Sequence, residues 1–507
     1  MKIISKIKSF YQKNWVSTTA IFGLSFLVWH KMFKQVFLGE GYMYFNPHLN
    51  FFVKNGINVW GYDNSAKIIF DILPPIFRDN ITAYFLLSFT IAYILFISLY
   101  LIINRITNSK LLAFSATIFF ATNYIALFEY LGAGTYQRFA QRFPGIIPII
   151  FSFYFLWKYG ENLKIKNLIV AFLLWGLAVF TGHFSSLALP ILLIYPIVKM
   201  FEDKPNLHKI FRVILICTTF FLISFYITNK SEQQPLGGFA NFLKTQENLT
   251  QRLLYQIPTV TIPLNLVSFI GQNWITSIKD PYLPVVKFFL PITLVMYFGG
   301  IWLVFKKAPR LLTLYISLLL SMVSTMFLYM YVDTRLDVTK YFGEDRYFIF
   351  SSLFAAIMWA ILLKALFTKN EISYKVATLF VLIVFVTNNT NMVWRHFDSI
   401  QYKSEAFKKF ISYIKYISPQ FEKDSIIIVP SYLQWPAALI TEFVSPNVDF
   451  PIPVDGWENK YWSIRNKVWV IDYNYDRIPS KDFDSEKGYI VDLTKNYRSG
   501  KKIQFLY

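Results

Sequence analysis

The stretch TAYFLLSFTIAYILFISLYLII, residues 82–103, decides the fold class of this chain. It holds 22 consecutive residues and no Asp, Glu, Lys or Arg. Because an α-helix rises about 1.5 Å per residue, a stretch of this length spans a hydrocarbon core of about 30 Å. The stretch is therefore typical of a transmembrane helix.

Similar apolar stretches occur on both sides of this one, along most of the chain. They lie near residues 15–38, 111–131, 144–158, 167–182, 184–201, 211–228, 287–305, 310–331, 346–367 and 374–394. The pattern predicts a multi-pass α-helical membrane protein with about eleven transmembrane helices. The composition agrees, since 55% of the residues are hydrophobic and only 16% are charged, whereas soluble domains carry about a quarter.

The net charge of +20 comes from Lys and Arg that cluster in the short loops between apolar stretches. This distribution follows the positive-inside rule and argues against nucleic acid as a partner, because the cations face an anionic leaflet. It predicts a cytoplasmic N-terminus, and an odd number of helices then predicts an extracytoplasmic C-terminus. The single cysteine, Cys217, excludes an intrachain disulfide.

Two of the extracytoplasmic loops are long, at about 39–81 and 229–286. Long loops rich in apolar and aromatic residues are usually ordered and functional. The second contains QIPTVTIPLNLVSFIGQNW, residues 256–274. Because Pro258 and Pro263 oppose a regular helix, this segment is expected to be re-entrant or interfacial.

The composition changes at about residue 395, which predicts a membrane domain over 1–394 and a small extracytoplasmic α/β domain over 395–507. FKKFISYIKYI (407–417) and LQWPAALITEF (433–443) are predicted as helices. The predicted strands are SIIIVP (425–430), KVWVIDY (467–473) and GYIVDL (488–493).

The first long loop opens with Leu38-Gly39-Glu40-Gly41-Tyr42, and Tyr44 follows. A carboxylate at the membrane surface can accept a proton from a hydroxyl nucleophile or hold a divalent cation. Nearby aromatic rings can stack on a sugar or a prenyl chain. His48 with Glu40 is a candidate two-ligand cation site. The alternative is a solvated loop acid beside an interfacial aromatic belt, and Asp63, Asp71 and Asp79 are further loop acids.

Two more groups of charged residues precede or follow apolar stretches on the predicted outer side. Arg138 and Arg142 are four residues apart and defy the positive-inside trend, which indicates an anionic ligand or pairing with Glu129. Arg346 and Tyr347 begin the tenth predicted helix. A guanidinium there can clamp a phosphate, or it can anchor the helix end. Nearby acids could orient Arg346: Asp333, Asp337, Glu344 and Asp345.

These features together resemble the GT-C superfamily of polyprenyl-phosphate-sugar-dependent glycosyltransferases. Members of that family open the first outside loop with a Gly-Asp-Glu-like motif near a Tyr, and Gly39-Glu40-Gly41-Tyr42 matches it with one acid instead of two. Many members also carry an Arg-Tyr pair at the outer start of a late helix, as at Arg346-Tyr347. Many have a Pro several residues later, where this chain has Ser351, Ser352 and Leu353.

The resemblance implies sugar transfer from a polyprenyl-phosphate-linked donor, in the bilayer of the cell envelope, to an extracytoplasmic glycan, lipid or protein. It implies Glu40 as the catalytic base and Arg138, Arg142 and Arg346 at the phosphate. Tyr42, Tyr44 and Tyr347 would then line the substrate site, and the family leaves open whether a divalent cation takes part. The alternatives are a transporter or flippase of lipid-linked saccharides, which would show internal repeats and broken helices, and a non-catalytic membrane scaffold.

Overall fold

A computed structural model describes most of the helical part of the chain and five short strands. The described residues are 2–36, 80–131, 142–202, 206–230, 249–262, 282–332, 348–368, 370–417, the five strands and the isolated positions 69, 72–73, 76–77 and 139.

The described residues form thirteen α-helices. They are α1 (Lys2–Trp29), α2 (Ile81–Thr107), α3 (Lys110–Ala121), α4 (Tyr124–Leu131), α5 (Ile146–Asn162), α6 (Ile165–Thr181), α7 (Leu189–Glu202), α8 (Leu207–Lys230), α9 (Leu249–Thr261), α10 (Tyr282–Lys307), α11 (Leu312–Val332), α12 (Ile349–Leu366) and α13 (Glu371–Ile417). Short 3-10 turns at His30–Lys34, His183–Ala188 and Pro309–Leu311 extend α1 and lead into α7 and α11.

Seven segments of the described helices are long and apolar enough to cross a membrane. They are Ile81–Thr107, Ser185–Glu202, Leu207–Tyr226, Lys287–Lys307, Pro309–Leu328, Ile349–Leu366 and Glu371–Asp398. Helices α8 and α10 expose many large apolar side chains, including Phe221, Phe225, Val295 and Phe298. Exposure of such an apolar surface to water would be unfavourable, whereas the acyl chains of a bilayer solvate it. The chain is accordingly a helical membrane protein.

Helix α12 lies at the centre of the bundle. It packs against α3, α4, α9, α10, α11 and α13, and most of its side chains are buried. A helix that is apolar on all faces has to be surrounded by protein or lipid, and here the neighbouring helices surround it.

Helix α9 ends inside the bundle, in the segment expected to be re-entrant. All of its residues from 256 to 261 are buried. Trp359 of α12 donates a hydrogen bond from Nε1 to the Thr261 carbonyl at 2.6 Å, and the Thr261 hydroxyl bonds the Tyr297 hydroxyl of α10 at 2.6 Å. Pro258 lies within the helix, so this proline does not prevent a helical turn.

The predicted helix at 111–131 is divided in two at Thr122 and Asn123. The Thr122 hydroxyl donates a second hydrogen bond at 2.8 Å to the Ile118 carbonyl, which also accepts the Thr122 backbone N–H at 3.0 Å. Asn123 caps α4 by accepting from the Ala126 N–H at 3.0 Å. Asn389 of α13 accepts from the Tyr124 N–H at 3.3 Å. Side chains thus satisfy backbone groups that the break leaves open.

Helix α13 continues without interruption past residue 394, where the composition changes. Its 47 residues span about 70 Å, more than twice the thickness of a hydrocarbon core. Lys31 forms an ion pair with Asp398 at 2.6 Å, and Gln35 bonds Ser404. Since residue numbers rise together in these contacts, α1 and α13 run parallel and emerge on the same face of the bundle.

Five strands follow α13 and pair into one mixed sheet. They are β1 (Ile426–Val429), β2 (Ile452–Pro453), β3 (Tyr461–Ile464), β4 (Val468–Asp472) and β5 (Gly488–Ile490), in the spatial order β2-β3-β4-β1-β5. Strand β1 is parallel to β4 and β5, whereas β3 is antiparallel to β2 and β4. The strands predicted at 425–430, 467–473 and 488–493 are confirmed, while the helix predicted at 433–443 lies outside the described residues.

Candidate functional site

Arg142 is the one predicted site residue whose side chain the structure describes. The others, Glu40, Tyr42, Tyr44, His48, Arg138, Arg346 and Tyr347, lie outside the described residues, as does the side chain of Glu129. Their predicted roles therefore stay predictions.

An aromatic cluster fixes the backbone beside Arg142. The Phe143 N–H donates to the Phe139 carbonyl at 3.0 Å, which closes one helical turn. The rings of Phe139 and Phe143 stack at 5.2 Å, and the Tyr130 ring lies 5.7 Å from Phe143. All three rings are buried. The half-buried Arg142 side chain is consequently held where α4 ends and α5 begins.

The beginning of α12 is buried and has no side-chain cap. Its N-cap residue, Phe348, makes no capping hydrogen bond, and all residues from 348 to 352 are buried. The first N–H groups of a helix have no partner within the helix and carry a partial positive charge. A buried helix N-terminus of this kind favours an anion such as a phosphate.

Two serines lie in the first turn of α12. Ser351 and Ser352 are 1% and 0% exposed, and their hydroxyls have no hydrogen-bond partner. Serines in apolar helices usually bond the carbonyl one turn earlier, as Ser88 does with Tyr84 at 3.1 Å. The two hydroxyls therefore remain available to a ligand or a water molecule at this helix end.

Buried amides without a partner occur on the two neighbouring helices. Gln256 of α9 is fully buried, and neither its Oε1 nor its Nε2 has a hydrogen-bond partner. Asn388 of α13 is 2% exposed, and both of its amide atoms are likewise without a partner. Each such group costs about 1–3 kcal/mol when nothing satisfies it.

Contacts of Trp359 with α9 and α13 show how far the buried amides and the serine hydroxyls lie from this tryptophan along the helix axes. The Trp359 ring lies 5.7 Å from Phe385 of α13, and Trp359 also bonds Thr261 of α9. Asn388 lies three residues after Phe385, Gln256 five before Thr261 and Ser352 seven before Trp359. These separations correspond to about 4.5, 7.5 and 10.5 Å along the respective axes.

All three displacements point to the face where α12 begins. Helix α4 lies on the same side of Trp359, because its Tyr124 N–H bonds Asn389, and α9 packs against α4. The name outer polar layer is used below for Gln256, Ser351, Ser352 and Asn388, after the side of the membrane that the Lys and Arg distribution predicts for this face.

The outer polar layer is suited to binding, not to proton transfer. It offers hydroxyls, amides and a helix N-terminus, which are neutral groups that recognise phosphate oxygens and sugar hydroxyls. None of its four members is a general base. Within the described part of the chain, no three His, Cys, Asp or Glu side chains are grouped to hold a metal ion.

The signals for this layer were present in the sequence but were weak. Asn388 and Asn389 form a polar pair inside the apolar stretch 374–394, where polar residues are costly. Ser351 and Ser352 were visible only as a departure from a family pattern. Gln256 was visible only as part of a segment with two prolines.

The comparisons with known proteins do not assign this chain to a family. No protein-family model matches the sequence, and no curated protein matches it significantly.

Proposed function

We propose that this protein is a membrane glycosyltransferase that transfers a sugar from a polyprenyl-phosphate-linked donor to an extracytoplasmic glycan, lipid or protein. The observation that supports the proposal most directly is the buried, uncapped beginning of α12 with its two unpaired serine hydroxyls. This helix end follows Arg346 and Tyr347 in the sequence. A helix N-terminus, serine hydroxyls and a guanidinium together make a phosphate site.

The chemistry divides between the donor and the chain. The donor carries its own phosphate leaving group, so the protein has to orient the reactants, stabilise the departing phosphate and accept the proton of the acceptor hydroxyl. Glu40 is proposed as the base, with Arg346, Arg138 and Arg142 at the phosphate. Tyr42, Tyr44 and Tyr347 are proposed to line the pocket. If a divalent cation takes part, Glu40 and His48 are its proposed ligands.

The proposed architecture has eleven crossings, a cytoplasmic N-terminus and an extracytoplasmic tail. The emergence of α1 and α13 on the same face of the bundle supports this arrangement. A membrane domain over 1–394 and an α/β domain over 395–507 are part of the proposal, and the mixed sheet supports the second. The domain would bind the acceptor or hold the long loops.

The test is transfer of a labelled sugar from a polyprenyl-phosphate donor in membranes with and without the full chain. Ser351→Ala combined with Ser352→Ala should weaken donor binding about 100-fold or more, because each of the two hydrogen bonds to a charged group contributes about 1.5–3 kcal/mol. Ser115→Ala is the matched control, since Ser115 is buried on α3 but already bonds the Leu112 carbonyl at 3.0 Å. Equal donor binding in both variants would count against a phosphate site at α12.

A transporter or flippase of lipid-linked saccharides is the second candidate. The end of α9 inside the bundle and the break between α3 and α4 favour it, because transporters bind substrates where helices are discontinuous. Movement of a fluorescent lipid-linked saccharide between leaflets, without any glycosyl product, would select this candidate over the transferase.

A further inference from the structure

An open cavity lined by charged and apolar side chains lies on the opposite face of the bundle, where α1 begins. It has a volume of about 290 Å³ and is bounded by the ends of α5 and α7 and the beginning of α8. This volume is close to the lower end of the range for small-molecule sites. Apolar side chains such as Leu156, Val213 and Ile216 form one wall.

A buried hydroxyl without a hydrogen-bond partner lines this cavity. Tyr195 of α7 is 2% exposed, and its Oη has no partner. The Trp157 ring stacks on the Tyr195 ring at 5.2 Å, and Phe153 contacts its edge at 5.4 Å. A Cβ added at Gly160 would lie 2.8 Å from Tyr195 Oη. Packing thus holds this hydroxyl in place at the cavity wall.

The charged side chains that line the cavity are mainly cationic. Lys199, Lys209 and Arg212 are there with one acid, Glu161. The Glu161 carboxylate accepts a hydrogen bond from Trp157 Nε1 at 2.9 Å. Lys199 forms an ion pair with Glu202 at the exposed rim, and exposed pairs of this kind contribute little stability. The lining is therefore suited to an anion.

The surface beside the cavity continues as an apolar face. Phe211, Ile214 and Leu215 of α8 are largely exposed. In a membrane-spanning helix these side chains contact acyl chains. An anion held in the cavity can consequently be attached to hydrocarbon that lies along α8, as it is in a phospholipid. A soluble anion would leave this continuity unused.

We propose that this cavity, the inner basic pocket, binds the phosphate headgroup of an anionic phospholipid from the adjacent leaflet. Lys209 and Arg212 donate charge-assisted hydrogen bonds to the phosphate oxygens, and the Tyr195 hydroxyl donates to the same group. The site is separate from the outer polar layer and does not depend on the proposed transferase activity. Bound lipid would contact α5, α7 and α8 at once and stabilise the packing of their ends.

The experiment measures the preference of the full chain for labelled phosphatidylglycerol over phosphatidylcholine in reconstituted bilayers. Lys209→Gln combined with Arg212→Gln should lower this preference about 30-fold, because each of the two cations contributes about 1 kcal/mol near an anionic surface. Lys306→Gln combined with Lys307→Gln is the matched control. It removes the same charge from the end of α10 on the same face, away from the cavity.

A second variant separates a formed site from general surface charge. Tyr195→Phe keeps every charge and should still weaken the binding of labelled phosphatidylglycerol about threefold, as expected for the loss of one hydrogen bond. Because phosphatidylcholine carries the same phosphate, this effect is measured as the amount of phosphatidylglycerol bound and not as the preference between the two lipids. Three results would overturn the proposal: no lipid preference in the unmodified chain, an equal loss in the Lys306/Lys307 control, or displacement of phosphatidylglycerol by an equal concentration of inorganic phosphate. The last result would identify a soluble anion as the occupant.

Discussion

Replacement of Gln256 by Leu is expected to make the folded protein more stable while it impairs function. Gln256 is fully buried on α9, and both polar atoms of its amide have no hydrogen-bond partner. The helix end around it is enclosed on all sides, because residues 256 to 261 are all buried. Leucine has a similar volume and leaves no polar group to satisfy.

The magnitude follows from the cost of the unpaired amide. Mutational data place this cost at about 1–3 kcal/mol. In a membrane the unfolded reference state also lacks water, and measured interhelical hydrogen bonds average only about 0.6 kcal/mol. The low end of the first range therefore applies, and Gln256→Leu should raise the free energy of unfolding by about 1 kcal/mol.

The matched control is a buried amide that does have a partner. Asn389 is 4% exposed and accepts a hydrogen bond from the Tyr124 N–H at the beginning of α4. Asn389→Leu removes this hydrogen bond and should lower the free energy of unfolding by about 1 kcal/mol. Unfolding in mixed micelles at increasing mole fractions of a denaturing detergent would measure both variants, and their changes should have opposite signs.

The function of Gln256 is tested on the same preparations. If its amide binds substrate, Gln256→Leu should reduce substrate binding or turnover at least tenfold despite the gain in stability. A loss of stability of 1 kcal/mol or more would refute the reasoning, because it would mean that the amide is satisfied in the resting protein. A gain in stability with unchanged activity would remove Gln256 from the site.

Three further predictions concern the residues selected from the sequence. Glu40→Gln should leave folding and donor binding intact and lower turnover about 10²- to 10⁴-fold, as for loss of a general base; normal turnover would transfer the role to Asp63, Asp71 or Asp79. Arg346→Ala should instead weaken donor binding about 10- to 100-fold, measured as the dissociation constant of the donor. Single cysteines placed after residue 395 in a Cys217→Ser background should react with an impermeant reagent in intact cells, and protection until lysis would reverse the proposed topology.

The helical part of the fold could be predicted because transfer into lipid dominates its energetics. Each of the eleven apolar stretches in the sequence overlaps at least one described helix. Stretches such as 82–103 can be predicted as helices without knowledge of tertiary contacts, since every backbone group of a helix inside a bilayer has to be hydrogen-bonded within that helix. The number of eleven crossings stays a prediction. Seven of the described segments are long and apolar enough to cross a membrane.

The details that were missed depend on contacts with distant parts of the chain. The break between α3 and α4 is stabilised by Asn389, which is 265 residues from Tyr124. The depth of α9 depends on Trp359 and Tyr297, on two other helices. The continuation of α13 beyond residue 394 is secured by α1, through Lys31 and Gln35. None of these partners can be inferred from local periodicity.

The same limit applies to the candidate site. Asn388 and Asn389 are neighbours in the sequence with the same side chain, yet Asn389 caps α4 and Asn388 has no hydrogen-bond partner. Successive side chains of a helix differ in direction by about 100° around its axis, so Asn388 and Asn389 face different neighbours. Sequence alone could indicate that polar residues interrupt an apolar stretch, but it could not tell which of them is structural and which is available to a ligand.

The outer polar layer and the inner basic pocket carry different chemical groups because they lie at different depths in the bundle. The outer polar layer lies among packed helices, where an uncompensated charge is expensive and a neutral dipole costs much less. Its described groups are hydroxyls, amides and a helix N-terminus. The inner basic pocket lies at the ends of its helices, where water screens full charges, and it carries Lys209 and Arg212. A phosphate bound in the outer polar layer, as proposed above, would need a charged partner from the neighbouring loops, and Arg346, which precedes α12 in the sequence, is the proposed partner.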